Sequence, residues 1–347
     1  MIMPFSFFKP FRPKNPLELV KAVSESLLAL DTKTVAEVKA LENALEEVEK
    51  NFSLMSQMLS GDGEVEPNAE HVTQLTDQIY KEDTLSLLIH KFPILGWEAR
   101  KDLVHCWCIF LRQIVGYSYC CVEYLETHSE LLDFLFVCYD SKDIALNCGN
   151  MLREYIKFPG LAKYIFDSIS FELFFKYVEL RNFDVASNAF AIFKDLLTKH
   201  ETAPSEFLTA HYEEFFVHYK KFLTSENYVT RIQSLKLLSD FLLETQNSYI
   251  MKCYILEVRY LKVVMTLLKD SCKNIQISAF HNYKVFVVNH NKPFEIIVIL
   301  AKNHARLLTL LCNLSVGKGA EDEQFEEKKD MIMKEIHKIS CLPSLAC

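Results

Sequence analysis

Glycine and proline are both scarce in this chain of 347 residues, at 8 and 10 copies, and tryptophan occurs twice. So few chain breakers exclude the dense turns of a sheet sandwich or barrel and favour long helices. Long apolar runs are missing too: stretches such as IIVIL at 296–300 are too short to cross a bilayer. The opening MIMPFSFFKPF is cut by Pro4 and Pro10 and has neither a positive leading segment nor a continuous apolar one, so it reads as neither a signal peptide nor a spanning helix. Positive charge is in deficit, with a formal net charge of −8. That balance argues against general affinity for nucleic-acid phosphates or anionic membranes. A modest basic grouping remains in His218, Lys220, Lys221, Arg231 and Lys236.

The motifs of common chemistries are absent as well. There is no zinc-protease helix, no nucleophile elbow, no phosphate-binding loop and no EF-hand calcium loop. SVGKGA at 315–320 has two glycines and a lysine but lacks the spacing and the preceding strand of a phosphate loop, and reads as a connection to the last helix. His105, Cys106 and Cys108, or Cys120 and Cys121, point in different directions from one helix and cannot converge on a metal. Eleven cysteines, most of them in apolar helical settings, read as reduced thiols of a cytoplasmic protein. No metal and no cofactor is expected.

What the chain does have is a recurring pattern. ARKDLVHCWCIFLRQ at 99–113, DSKDIALNCGNMLRE at 140–154, RNFDVASNAFAIFKD at 181–195, SENYVTRIQSLKLLSD at 225–240 and SCKNIQISAFHNYKVF at 271–286 follow one another at steps of 41, 41, 44 and 46 residues. Steps in the forties mark stacked helical units, none of which can bury its apolar face alone. The expected fold is all-α, an armadillo/HEAT-like right-handed helical-repeat solenoid. It offers a long surface rather than a catalytic cleft, so no enzyme activity is expected.

The pattern predicts helices from Pro16 to Leu30 and from Thr34 to Leu59, then a loop at 61–67. Shorter helices follow in threes, and the third of each unit carries the repeat, beginning near 100, 141, 182, 226 and 272. In such stacks the third helices line the concave face. The organisation expected is a flexible arm at 1–15, one repeat domain at 16–316, a charged helix at 317–340 that caps the stack or floats from it, and a disordered tail at 341–347. Asp102, Asp143 and Asp184 share a repeat position and resemble a carboxylate row, but first-turn placement, with Asp143 or Asp184 partly capping its helix, explains the recurrence better than catalysis does.

Long stretches of the chain resemble the Mo25 family, also called calcium-binding protein 39. They are LRQIVG at 111–116, DIALNCGNMLRE at 143–154, FFKYVEL at 174–180, FDVASNAFAIFKDLLTKH at 183–200, SENYVTRIQSLKLL at 225–238, NIQISAFHNYKVFVVN at 274–289 and EDEQFEEKK at 321–329. The resemblance covers about residues 4 to 340. It implies a non-enzymatic cytoplasmic scaffold that binds the STE20-related pseudokinase STRAD, helps activate the kinase LKB1, and also engages active STE20-family kinases. Two surfaces are implied: a pocket for a Trp-Glu-Phe tail and a concave face for the kinase-like domain.

For the tail pocket the resemblance implies Ile232, Lys236 and Met265. Lys236 keeps the family residue and suits the acidic member of the peptide, and Met265 suits an aromatic ring. Ile232 stands where the family has arginine. Arg231 lies one step earlier, about 100° round the helix, and cannot substitute for it. Loss of a buried charged contact weakens a complex by roughly 2–5 kcal/mol. For the kinase-facing surface the residues are Tyr228, which is retained, Arg231, and Thr245 and Ser248, which replace an arginine and a phenylalanine of the family. Such anchors often dominate interfaces. The rival expectation is therefore a divergent paralogue with weakened or lost kinase activation, acting as an armadillo-like peptide-binding or structural protein.

Overall fold

The computed structural model describes residues 15–31, 38–61, 63–314 and 320–341. Most of the arm expected at 1–15, the start of the second helix, most of the 315–320 connection and nearly all of the tail lie outside these residues. Among the described residues there is no strand; an isolated bridge joins Val115 and Ser118. The contacts group into two compact units, Met1–Phe171 with Ser187–Ile192, and Glu172–Ala186 with Phe193–Cys347.

The first unit holds α1 (Pro16–Ala29), α2 (Val38–Ser60), α3 (Ala69–Lys81), α4 (Thr84–Lys91), α5 (Trp97–Arg112), α6 (Cys120–Thr127), α7 (Glu130–Cys138), α8 (Ala145–Tyr155) and α9 (Pro159–Asp167). Proline at its first position and a capping box between Asn15 and Glu18 start α1. The helices then stack like with like. α3 meets α6 and α6 meets α9, α4 meets α7, and α2 meets α5, which meets α8. Three parallel series of this kind are the armadillo type of helical repeat. The long helix expected to begin near 100 runs instead from Trp97 to Arg112; Gln113 is already extended at ψ 128°, and Gly116, at φ 65°, reverses the chain between Val115 and Ser118. Pro159 opens α9.

The repeated third helices bury Leu103, Cys106, Trp107 and Phe110 from α5 and Cys148, Met151 and Leu152 from α8. The Trp107 indole donates to the Met151 carbonyl at 3.3 Å. Gly149 explains its place in the DIALNCG stretch. A Cβ there would fall 1.9 Å from the Asn188 side-chain oxygen, which accepts a 2.9 Å bond from the Tyr139 hydroxyl.

The units share α10 (Ser170–Tyr177) and α11 (Phe183–Thr198); the second continues with α12 (Thr202–Ala210), α13 (Tyr212–Leu223), α14 (Tyr228–Leu243), α15 (Ser248–Ile255), α16 (Val258–Leu267), α17 (Lys273–Val288), α18 (Phe294–Lys302), α19 (His304–Cys312) and α20 (Ala320–Ser340). Here the phenylalanine excess finds its use. Phe193, Phe215, Tyr219, Phe222 and Phe241 pack ring against ring, and the buried Tyr219 hydroxyl donates to the Ser234 carbonyl at 2.7 Å. α14 packs on α17, and α17 on α20. The charged last helix thus caps the series, burying Phe325, Ile332, Ile336 and Ile339.

The aspartate row dissolves. Asp102 lies in the second turn of α5, Asp143 precedes α8, and Asp184 sits in the first turn of α11. The α11 cap is Asn182, whose side chain accepts from the Asp184 and Val185 amides. Asp102 instead borders an acidic 720 Å³ cavity with Glu47, Glu49 and Glu98. Burial there raises its pKa; Lys101 opposes the shift and Glu98 adds to it.

Candidate docking surface

The residues singled out from the sequence all fall in the second unit, along or beside α14. Asn227 starts that helix by accepting from the Val229 amide at 2.9 Å. Its buried stripe comprises Thr230, Ser234, Leu235, Leu237, Leu238, Phe241 and Leu242. Ile232 and Lys236 lie one turn apart on the opposite face, where Lys236 is exposed and Ile232 half-buried. Leu243 is exposed at the end of the same stripe.

Tyr228 is the first residue of the helix and is exposed; its hydroxyl accepts from the Asn274 amide group at 3.4 Å. The Cys272 thiol lies beside it at the start of α17, where the Ile275 and Asn274 amides and the Tyr228 hydroxyl hold it below the usual thiol range. Thr245 and Ser248 are at the other end of α14, roughly 25 Å away at 1.5 Å per residue. Both are exposed on the short turn that encloses the buried Asn247. Met265 is on α16 and only 7 % exposed. The structure therefore brings Ile232 and Lys236 together, keeps Tyr228 at one end and Thr245 with Ser248 at the other, and buries Met265 on a separate helix.

Arg231 is engaged locally. Its guanidinium donates to the Ser225 carbonyl at 2.8 Å and approaches the Asp270 carboxylate at 3.6 Å. In the next unit Gln276 donates to the Asp270 carbonyl at 2.7 Å, an equivalent bond. This corrects the spacing. The helix-start residues Asn182, Asn227 and Cys272 are 45 residues apart at both steps, not 44 and 46.

The even step changes which residues correspond. The 46-residue alignment matches Lys236 with Asn282, which is buried and donates to the Leu235 carbonyl at 2.8 Å. The 45-residue step matches Ile232 with Ile277, Lys236 with His281, Ser239 with Lys284 and Leu243 with Val288. All eight lie on the unburied stripes of two packed helices. The α17 half of this surface was hidden by a one-residue misalignment that centring on Asn182 and Asn227 would have removed.

A model of the family described as Mo25-like matches residues 5–340. The chain belongs to the Mo25 family. A human relative, calcium-binding protein 39-like, is 42 % identical over 93 % of this chain and 94 % of its own. MO25-like protein 2 of Caenorhabditis elegans is 39 % identical, covering 94 % and 96 %, and the Mo25-like protein of Schizosaccharomyces pombe is 35 % identical, covering 97 % and 100 %. Among solved structures, a designed armadillo repeat protein in complex with the peptide (KR)4 aligns with a TM-score of 0.45 and 12 % identity, covering 78 % of this Mo25-family chain and 99 % of its own. No described helix of the chain is long and apolar enough to cross a membrane.

Proposed function

We propose that the chain is a non-catalytic cytoplasmic scaffold for a STE20-related pseudokinase or kinase, stabilising the active kinase arrangement in the manner of LKB1 activation. The observation that carries the reading is the open stripe of α14, on which Ile232 and Lys236 stand together between Tyr228 and the Thr245–Ser248 turn, in a chain of the Mo25 family. Lys236 pairs with the glutamate of a Trp-Glu-Phe tail, and Ile232 offers apolar contact to one of its rings; Met265, buried on α16, lies outside this stripe. Titrating the purified protein with a peptide ending in Trp-Glu-Phe tests this. Saturable micromolar binding that is lost on Lys236→Glu supports the reading, and no saturation at high micromolar peptide overturns it.

A second reading has its own support. Arg231 is tied to Ser225 and Asp270, so Lys236 is the cation remaining on this stripe of α14. That favours a paralogue whose hold on kinase tails is weakened. Adding the protein to a pseudokinase and kinase mixture separates the two, since phosphorylation stays unchanged if activation has been lost.

A further inference from the structure

Three lysines near α20 lose much of their exposure to water, and two are compensated. Lys329 is buried, donates to the Leu314 carbonyl at 2.8 Å and pairs with Glu326. Lys292 donates to the Asn289 carbonyl at 2.6 Å and lies 3.9 Å from Glu335. The third, Lys284 on α17, is half-buried with no acceptor among the described residues, and the charge that faces it is another cation, Lys328 of α20. His281, one turn before it, faces the same two lysines and lies edge-on to Phe325, with ring centroids 6.1 Å apart.

Leaving a cation partly desolvated beside another is unfavourable in the free protein. Burial, followed by repulsion from Lys328, lowers the Lys284 pKa; burial, followed by both lysines, lowers that of His281. Arrangements that cost stability without an internal partner are characteristic of binding sites. The surroundings are apolar: Ile277 and Val288 share the Lys284 stripe, and Val285 adjoins it.

We propose that the seam between α17 and α20 is a docking site for an acidic peptide segment of a partner protein, with a glutamate or aspartate carboxylate held between Lys284 and Lys328 beside His281. The alternation of cations with exposed valine fits a segment in which acidic and apolar residues alternate. A nucleic acid fits poorly, because the net charge of −8 repels an extended polyanion. The site is centred on the α17–α20 seam, beside the α14 stripe, and does not depend on the kinase reading.

The test uses the full chain and a fluorescein-labelled peptide, Glu-Phe-Glu-Leu-Glu-Glu, followed by anisotropy at low salt. Expected are saturable binding that weakens with added salt, no binding of the Gln-Phe-Gln-Leu-Gln-Gln analogue, and about a tenfold loss for Lys284→Gln, with a similar loss for Lys328→Gln. Lys284→Gln should melt no lower than the parent without peptide, so the loss cannot be laid to misfolding. Equal binding by the double variant Lys284→Gln, Lys328→Gln, equal binding of the glutamine analogue, or loss only on Lys236→Gln would overturn the proposal. Displacement of the peptide by equimolar inorganic phosphate would overturn it in favour of a phosphate site.

Discussion

Arg231 and Gln276 perform the same task 45 residues apart: each reaches back six residues from the first turn of a third helix to a main-chain carbonyl, Ser225 for one and Asp270 for the other. Each clamp fixes the loop that leads into its helix. Arg231→Ala should therefore lower stability by about 1–3 kcal/mol, the cost of leaving that carbonyl without its donor and Asp270, which keeps the Cys272 amide, without its cation. Arg231→Gln should restore most of it, because Gln276 shows that an amide spans the gap. Urea denaturation of the three proteins checks this, and equal loss in both variants would contradict it.

Ile232 is the neighbour that faces outward. Placing a cation there adds a second positive group one turn from Lys236 without disturbing the clamp. Ile232→Arg should tighten binding of a Trp-Glu-Phe-ending peptide about tenfold, roughly 1.4 kcal/mol, by calorimetric titration. Unchanged affinity would assign the weakness to pocket shape instead of charge.

The helical repeat was legible because its signal is redundant: every unit repeats the same apolar spacing, and no single residue has to be read correctly. The docking surface was legible only by family likeness, and only in part. Ile232 and Lys236 could be placed on one face from helical spacing alone. His281 and Lys284 could not, because matching the repeats on their charged and apolar residues gives a 46-residue step, whereas the caps Asn227 and Cys272 at which α14 and α17 begin lie 45 residues apart. One residue turns a side chain by about 100°, which exchanges the half-buried His281 position for the buried Asn282. The clamp role of Arg231 depends on a loop carbonyl, and loop paths leave no periodic trace in sequence.

Glu154 is 3 % exposed and is held by Arg112, through bonds of 2.5 and 2.6 Å, and by Lys157 at 2.6 Å. Burial raises its pKa, but the bonds from Arg112 and Lys157 outweigh it and leave the carboxyl below its ordinary value. A depressed carboxylate contributes stability that is complete above the unfolded pKa of about 4.3 and is lost as pH falls through the folded value. Arg112→Ala should cost about 2–3 kcal/mol at pH 7, since the buried charge then loses its two-bond cation and keeps Lys157 and the Cys108 thiol. Glu154→Gln should cost less, about 1–2 kcal/mol, because the freed cations reach solvent, and should flatten the loss of stability below pH 4.3. Thermal melts between pH 3 and 7 read both effects, and an equally steep acid limb in Glu154→Gln would refute the assignment.

Thr245 and Ser248 offer the most direct test of inherited function. Both are exposed on the turn after α14, and between them the buried Asn247 holds the Phe241 carbonyl at 2.8 Å, so the turn is fixed from inside and not by the two outward side chains. Replacing them therefore changes the surface without touching the core. The double variant Thr245→Arg, Ser248→Phe should melt within about 0.5 kcal/mol of the parent, as expected for surface sites. If the kinase-facing surface has lost only its anchors, the variant should raise pseudokinase-dependent phosphorylation several-fold over the parent, because arginine and aromatic side chains supply most of the energy at such contacts. A variant that folds normally and leaves phosphorylation at the parent level would mean that the surface around α14 has diverged in more than these two positions.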